Sequence, residues 1–282
     1  MELLAAVVIG LLLSCKTQQT GEQRPIAPGA EPPAANEAKD EAKEKVSAVA
    51  SPQSVQKLAL VITRHPEPFL ALRGATAVGS LRAQAGKSVS FNLAVPGLAR
   101  WADANVARFV VRLPGGALET VPVDNAASRG LVTYTFPSAG ASMLMFCAGP
   151  KVERAGDSFA HVTHCSKMIV SVTDGRKALD VQDDFTGETG LLLDVVPLVS
   201  PVRLTVGSEL PVSFHYMNEE EAGIAVAALR PDGSVDNQVT SRSGVAHFQI
   251  TQPGRWVIRF VKEQPDGDRI GELVFAIPGN KW

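Results

Sequence analysis

The chain has 282 residues, 45% of them hydrophobic, and a formal net charge of −2 from 27 Lys and Arg against 29 Asp and Glu. That length holds about two domains of ordinary size, with apolar material for two cores. The near-balanced charge leaves no electrostatic footprint for nucleic acid, which is excluded as a partner.

Residues 1–15, MELLAAVVIGLLLSC, are an apolar run too short to span a bilayer. Leu12-Leu13-Ser14-Cys15 resembles a bacterial lipobox, in which Cys15 would be acylated and become the mature N-terminus. Glu2 and the lack of Lys or Arg in the leading segment are unusual for such a leader, and an uncleaved signal anchor or a different start codon is the competing reading. If the lipobox holds, Lys16 at the next position fits retention at the outer membrane, facing the periplasm or the surface. The membrane is then a partner through the N-terminal lipid, each buried CH₂ adding about 0.8 kcal/mol.

Residues 16–56 are built from Ala, Pro, Glu, Lys, Gln and Ser, with almost no aromatic or branched apolar residue. Such a segment cannot bury enough surface to offset its ordering entropy, so a disordered tether is expected. A first folded domain is expected over 57–173. Its clearest predicted strands are Ala59–Thr63, Ser88–Val95, Arg108–Leu113 and Leu131–Phe136, punctuated by glycines. Pro137-Ser138-Ala139-Gly140 leading into Ser142–Cys147 parallels Pro253-Gly254 leading into Trp256–Phe260, which suggests an internal repeat of topology.

Three cysteines less a lipidated Cys15 leave Cys147 and Cys165. In an oxidising envelope the simplest pairing is a disulfide closing a loop of about 18 residues, worth roughly 3 kcal/mol in the chain-entropy picture. The competing reading is a transition-metal site, because His161-Val162-Thr163-His164-Cys165 brings His161, His164 and a thiol together and Cys147 can add a second sulfur. On a strand, however, His164 and Cys165 point to opposite faces. Of the other histidines, His65 reads as a loop residue, and His215 and His247 as solvent-facing positions on strands. The connection 174–190 contains the oxygen-rich run Asp180–Glu188, which reads as a polar linker and lacks EF-hand spacing.

A second domain is expected over 191–280. Leu210, Val212, Phe214 and Tyr216 alternate with Ser213 and His215, and Trp256, Ile258 and Phe260 alternate with Val257, Arg259 and Val261. Turn chemistry at Asn218–Glu221, Pro231–Ser234, Ser241–Gly244 and Pro253-Gly254 separates these strands. The fold class is therefore all-β, with two β-sandwich domains after a disordered tether.

Leu193-Asp194-Val195-Val196-Pro197-Leu198, Gly207-Ser208-Glu209-Leu210-Pro211-Val212, Gly244–Phe248 and Pro253-Gly254-Arg255-Trp256 carry a family resemblance. Together they resemble a domain-of-unknown-function family grouped with periplasmic components of nickel and cobalt uptake, across 190–262 and less closely across 130–173. The resemblance implies two immunoglobulin-like or transthyretin-like sandwiches and a role beside a metal-uptake system. The chain lacks the His just after signal cleavage that a nickel-uptake component would carry. No Gly-x-Ser-x-Gly elbow, P-loop or dinucleotide fingerprint occurs, so an enzyme is not expected. The expected function is a non-enzymatic, lipid-anchored envelope binding or accessory protein with no firm cofactor. Its expected partner is an envelope protein or transporter; the alternative is a structural or protein-interaction module with no small ligand.

Overall fold

A computed structural model describes residues 50–73, 81–93, 106–121, 131–155, 158–175, 185–265 and 267–279, apart from the side chains of 106–108 and 150–162. The leader, Cys15 and nearly all of the tether lie outside the described residues.

The first element is a helix, α1, over Pro52–Arg64, where the sequence suggested a tether to residue 56 and then a strand over Ala59–Thr63. A five-residue apolar run does not distinguish strand from helix, and the start signals here favour helix. Ser51 caps it, its Oγ accepting the Ser54 N–H at 3.1 Å, and Pro52 stands at the first helical position. Leu58, Val61 and Ile62 then share one face, packed on the sheet below. Lys57 ties the helix to Asp268 at 2.9 Å and to Glu263 at 3.3 Å.

Among the described residues all the other regular elements except one 3₁₀ turn are strands. The first half contributes β1 (Leu70–Leu72), β2 (Arg82–Gln84), β3 (Ser88–Leu93), β4 (Val106–Arg112), β5 (Leu118–Val121), β6 (Leu131–Thr135), β7 (Gly140–Ala155) and β8 (Ser158–Thr173). The second contributes β9 (Leu193–Pro197), β10 (Glu209–Tyr216), β11 (Glu219–Glu220), β12 (Ala225–Leu229), β13 (Val235–Val239), β14 (Val245–Gln249), β15 (Gly254–Gln264) and β16 (Gly267–Ile277). The two halves trace the same path. β1-β3-β6 of the first is matched by β9, β10 and β14 of the second, and β5-β4-β7-β8 by β13-β12-β15-β16. The repeat suggested around Pro137 and Pro253 is thus present as a repeat of topology, with β7 and β15 in equivalent places.

The halves meet in a parallel pairing of β8 with β16, from Thr163 opposite Arg269 to Met168 opposite Val274. This seam makes one continuous sheet whose two faces are covered differently. In the first half the β1-β3-β6 sheet packs on one face, against Leu144, Phe146, Met168 and Val170. In the second half the sheet around β10 packs on the opposite face, against Trp256, Ile258, Phe260 and Leu273. The face of the second half left over is covered by α1, and that of the first half by Phe185 and the segment leading to β9.

This arrangement explains the sequence of the central strands. Successive residues of a strand point to opposite faces, and here both faces are dry, so β12 and the middle of β8, β15 and β16 are nearly continuously buried. Each fully buried Val, Leu, Ile or Phe contributes roughly 1.5–3 kcal/mol relative to exposure.

Candidate functional site

Cys147 and Cys165 stand directly opposite each other on β7 and β8, with Cα atoms 4.1 Å apart, and are joined in a disulfide. Both sulfurs are therefore used, which removes the soft ligands from the metal set suggested by sequence. His164, one residue away, points to the other face of β8 as the strand period requires. Its ring is buried, edge-on to Phe69 with centroids 4.7 Å apart. His161 lies on β8 opposite Val152, and its side chain is outside the described residues. Among the described residues no three His, Cys, Asp or Glu side chains gather as a ligand set. The described donors at this place do not fit a transition metal.

Two buried ionic locks instead hold the connections that cross the free faces of the sheet. Under the link from α1 to β1, Arg259 and Glu272 form a pair with both side chains 0% exposed, Nη2 to Oε2 at 2.5 Å. Glu272 Oε1 also accepts the Phe69 N–H at 2.9 Å and the Ser166 hydroxyl at 2.8 Å. Arg259 donates to the carbonyls of His65 at 2.6 Å and Glu67 at 3.1 Å, and its guanidinium lies 4.4 Å from the Phe69 ring centroid. Every element at this junction is thus tied to the β8–β16 seam.

On the opposite face Lys167 pairs with Asp194, their side chains 1% and 2% exposed. The other Asp194 oxygen accepts from the Thr189 N–H at 2.6 Å and its hydroxyl at 2.9 Å, which pins the segment entering β9. Burial pushes the Lys167 ammonium below its ordinary range; Asp194 opposes that shift and Arg112 adds to it. His215, expected to face solvent, is only 6% exposed because the segment before β9 covers the outer face of β10. Its Nε2 lies 2.7 Å from Ser213 Oγ, and its Nδ1 lies 3.5 Å from Glu188 Oε1. His247 is exposed, as expected, beside Glu209.

A cleft of about 280 Å³ opens at the end of the sheet beyond α1, lined among others by Ile62, Pro66, Leu229, Val235, Arg255 and Val257. Val235, Leu229 and Val257 are directly opposite one another across β13, β12 and β15, so they form one apolar row on one face. Arg255, two residues before Val257, projects to that same face. Its Nη2 lies 2.6 Å from Glu67 Oε2; the arginine side chain is 10% exposed and the glutamate 71%. Arg230 is held by Asp236 at 2.8 Å and lies 5.9 Å from the Trp256 ring centroid. Asp232 in the hairpin turn is held by the Ser234 hydroxyl at 2.7 Å and N–H at 2.9 Å, which keep its carboxyl below the usual range. This cleft has no local signature in the sequence. Glu67 and Arg255 are distant in the chain, and only the docking of the α1–β1 link brings them together.

The family model described as "Domain of unknown function (DUF4198)" matches residues 112–264, across both sandwiches. No curated protein matches the chain. Among solved structures, the fibronectin(III)-like modules of Clostridium thermocellum CbhA share 15% identity over 74% of this chain and 93% of that one, with a TM-score of 0.21. A two fibronectin type III domain segment of chicken tenascin shares 8% identity over 73% and 97%, with a TM-score of 0.22. The BSP domain of a biofilm associated protein shares 11% over 76% and 30%, with a TM-score of 0.20.

Proposed function

The chain belongs to the DUF4198 family of domains of unknown function, and from that premise we propose a non-enzymatic, lipid-anchored accessory protein of the bacterial envelope. It serves transition-metal uptake, nickel or cobalt, by contact with an envelope protein or transporter rather than by holding the metal on Cys147, Cys165 and His164. The observation that carries this reading is the cross-strand disulfide. A bond of this kind persists in an oxidising compartment, in keeping with a leader removed just before Cys15, and it withdraws the two sulfurs from metal chemistry. A polar tether then gives a sandwich with rigidly fastened connections freedom to reach a partner while the lipid holds it at the membrane.

The test is a strain lacking the protein, complemented with wild type or with Cys15→Ala, grown with labelled palmitate and assayed for nickel uptake. The wild-type chain incorporates the label and restores uptake, whereas Cys15→Ala does neither. A wild-type chain that takes no label, or uptake that is indifferent to the protein, overturns the proposal.

A further inference from the structure

We propose that the cleft beyond α1 is a docking site for a partner peptide that carries a carboxylate beside an apolar side chain, with Arg255 as its anchor and Glu67 as a built-in competitor. The volume, about 280 Å³, is at the small end of ligand pockets and suits one or two side chains rather than a cofactor. Its floor is the row Val235–Leu229–Val257, with Ile62 and Pro66 as one wall, and Val235 stays partly exposed where α1 ends. Apolar surface of this kind takes an aliphatic side chain.

The charge on the rim selects the rest of the ligand. Arg230 is paired with Asp236, and the Asp232 carboxylate, still charged, is turned back onto its own hairpin by the Ser234 N–H and hydroxyl, whereas Arg255 is held, among the described residues, by a single carboxylate that is itself mostly in water. A guanidinium that is nearly buried and already positioned loses little freedom on binding a new carboxylate. Glu67, by contrast, returns to solvent at small cost, because an exposed acid gains little from such a pair. The contact Glu67–Arg255 therefore mimics the bound state and sets a threshold that an incoming peptide must exceed.

This inference rests on the reading that the chain works through protein contact, but the two fail separately. Palmitate labelling and nickel uptake report that reading; discrimination between peptides reports this one. The experiment uses the full chain in detergent and fluorescence polarisation of a fluorescein-labelled hexapeptide of alternating leucine and glutamate. The control is the same peptide with glutamine in place of glutamate. The glutamate peptide binds wild type about tenfold more tightly than the glutamine peptide, and Arg255→Gln removes the difference. Glu67→Ala, which deletes the competitor, tightens glutamate-peptide binding by about fivefold, a gain that a merely structural Glu67 would not give. Equal binding of the two peptides to wild type, or a Glu67→Ala chain that binds no better than wild type, overturns the inference. Circular dichroism of each variant confirms that it is folded.

Discussion

Replacing Arg259 with methionine lowers the stability of the fold by about 3–5 kcal/mol, because it strands the Glu272 carboxylate in a site with no access to water. It also leaves the carbonyls of His65 and Glu67 without their donor. The loss belongs to the broken pair rather than to the absence of charge, since a buried ion pair replaced whole by apolar residues is often neutral. The double variant Arg259→Met with Glu272→Leu therefore recovers a large part of the loss, short of the contribution of the Phe69 and Ser166 hydrogen bonds to Glu272 and of the Arg259 bonds to the His65 and Glu67 carbonyls. Chemical denaturation of the two variants beside wild type measures both. A single variant that costs less than about 1 kcal/mol shows that the pair is dispensable to the fold.

Gly271→Ala has a comparable cost from a different cause. Gly271 pairs with Phe260 across β15 and β16, and a Cβ there would lie 2.1 Å from Phe260 Cε1. Phe260 cannot give way freely: it is fully buried and packs edge-on against Phe214 with centroids 5.4 Å apart. Overpacking of a dense core costs typically 1–3 kcal/mol and sometimes more, so a loss of about 3 kcal/mol is expected in urea unfolding. Phe260→Leu destabilises the wild-type chain but restores part of the stability in the Gly271→Ala background, because it removes the ring that the new methyl group meets. If Phe260→Leu is as harmful in the variant as in wild type, the ring is not what excludes a side chain at residue 271.

Much of the strand content was legible because the information is local. The alternation through Leu210–Tyr216, followed by the turn at Asn218–Glu221, and through Trp256–Val261, preceded by Pro253-Gly254, places β10 and β15 close to where they lie. The run Ala59–Thr63 misled because its β-branched residues suit a strand, while the capping signals that make it helical sit upstream at Ser51 and Pro52. The shared sheet was not legible. The pairing of β8 with β16 joins residues about a hundred positions apart, and nothing in either strand names its partner.

One signal for that sharing was nevertheless present. Arg259 and Glu272 each interrupt a run that is apolar at both odd and even positions, as a strand with two dry faces requires, and Lys167 stands directly before such a run, Met168–Val170. A charge inside or beside such a run must meet an opposite charge, and here each of the three does. Of the candidate site, the disulfide followed from the cysteine count and the expectation of an oxidising compartment, whereas the burial of His164 and His215 depended on segments that pack over them from elsewhere in the chain.

The most direct test is a count of free thiols together with metal content on one sample of the full chain, purified without chelator or reductant. No free thiol at Cys147 or Cys165 and no stoichiometric nickel or cobalt are expected, since the sulfurs are bound to each other and His164 is packed against Phe69. Two free thiols together with one bound metal per chain would contradict this and would make the segment from His161 to Cys165 the working site.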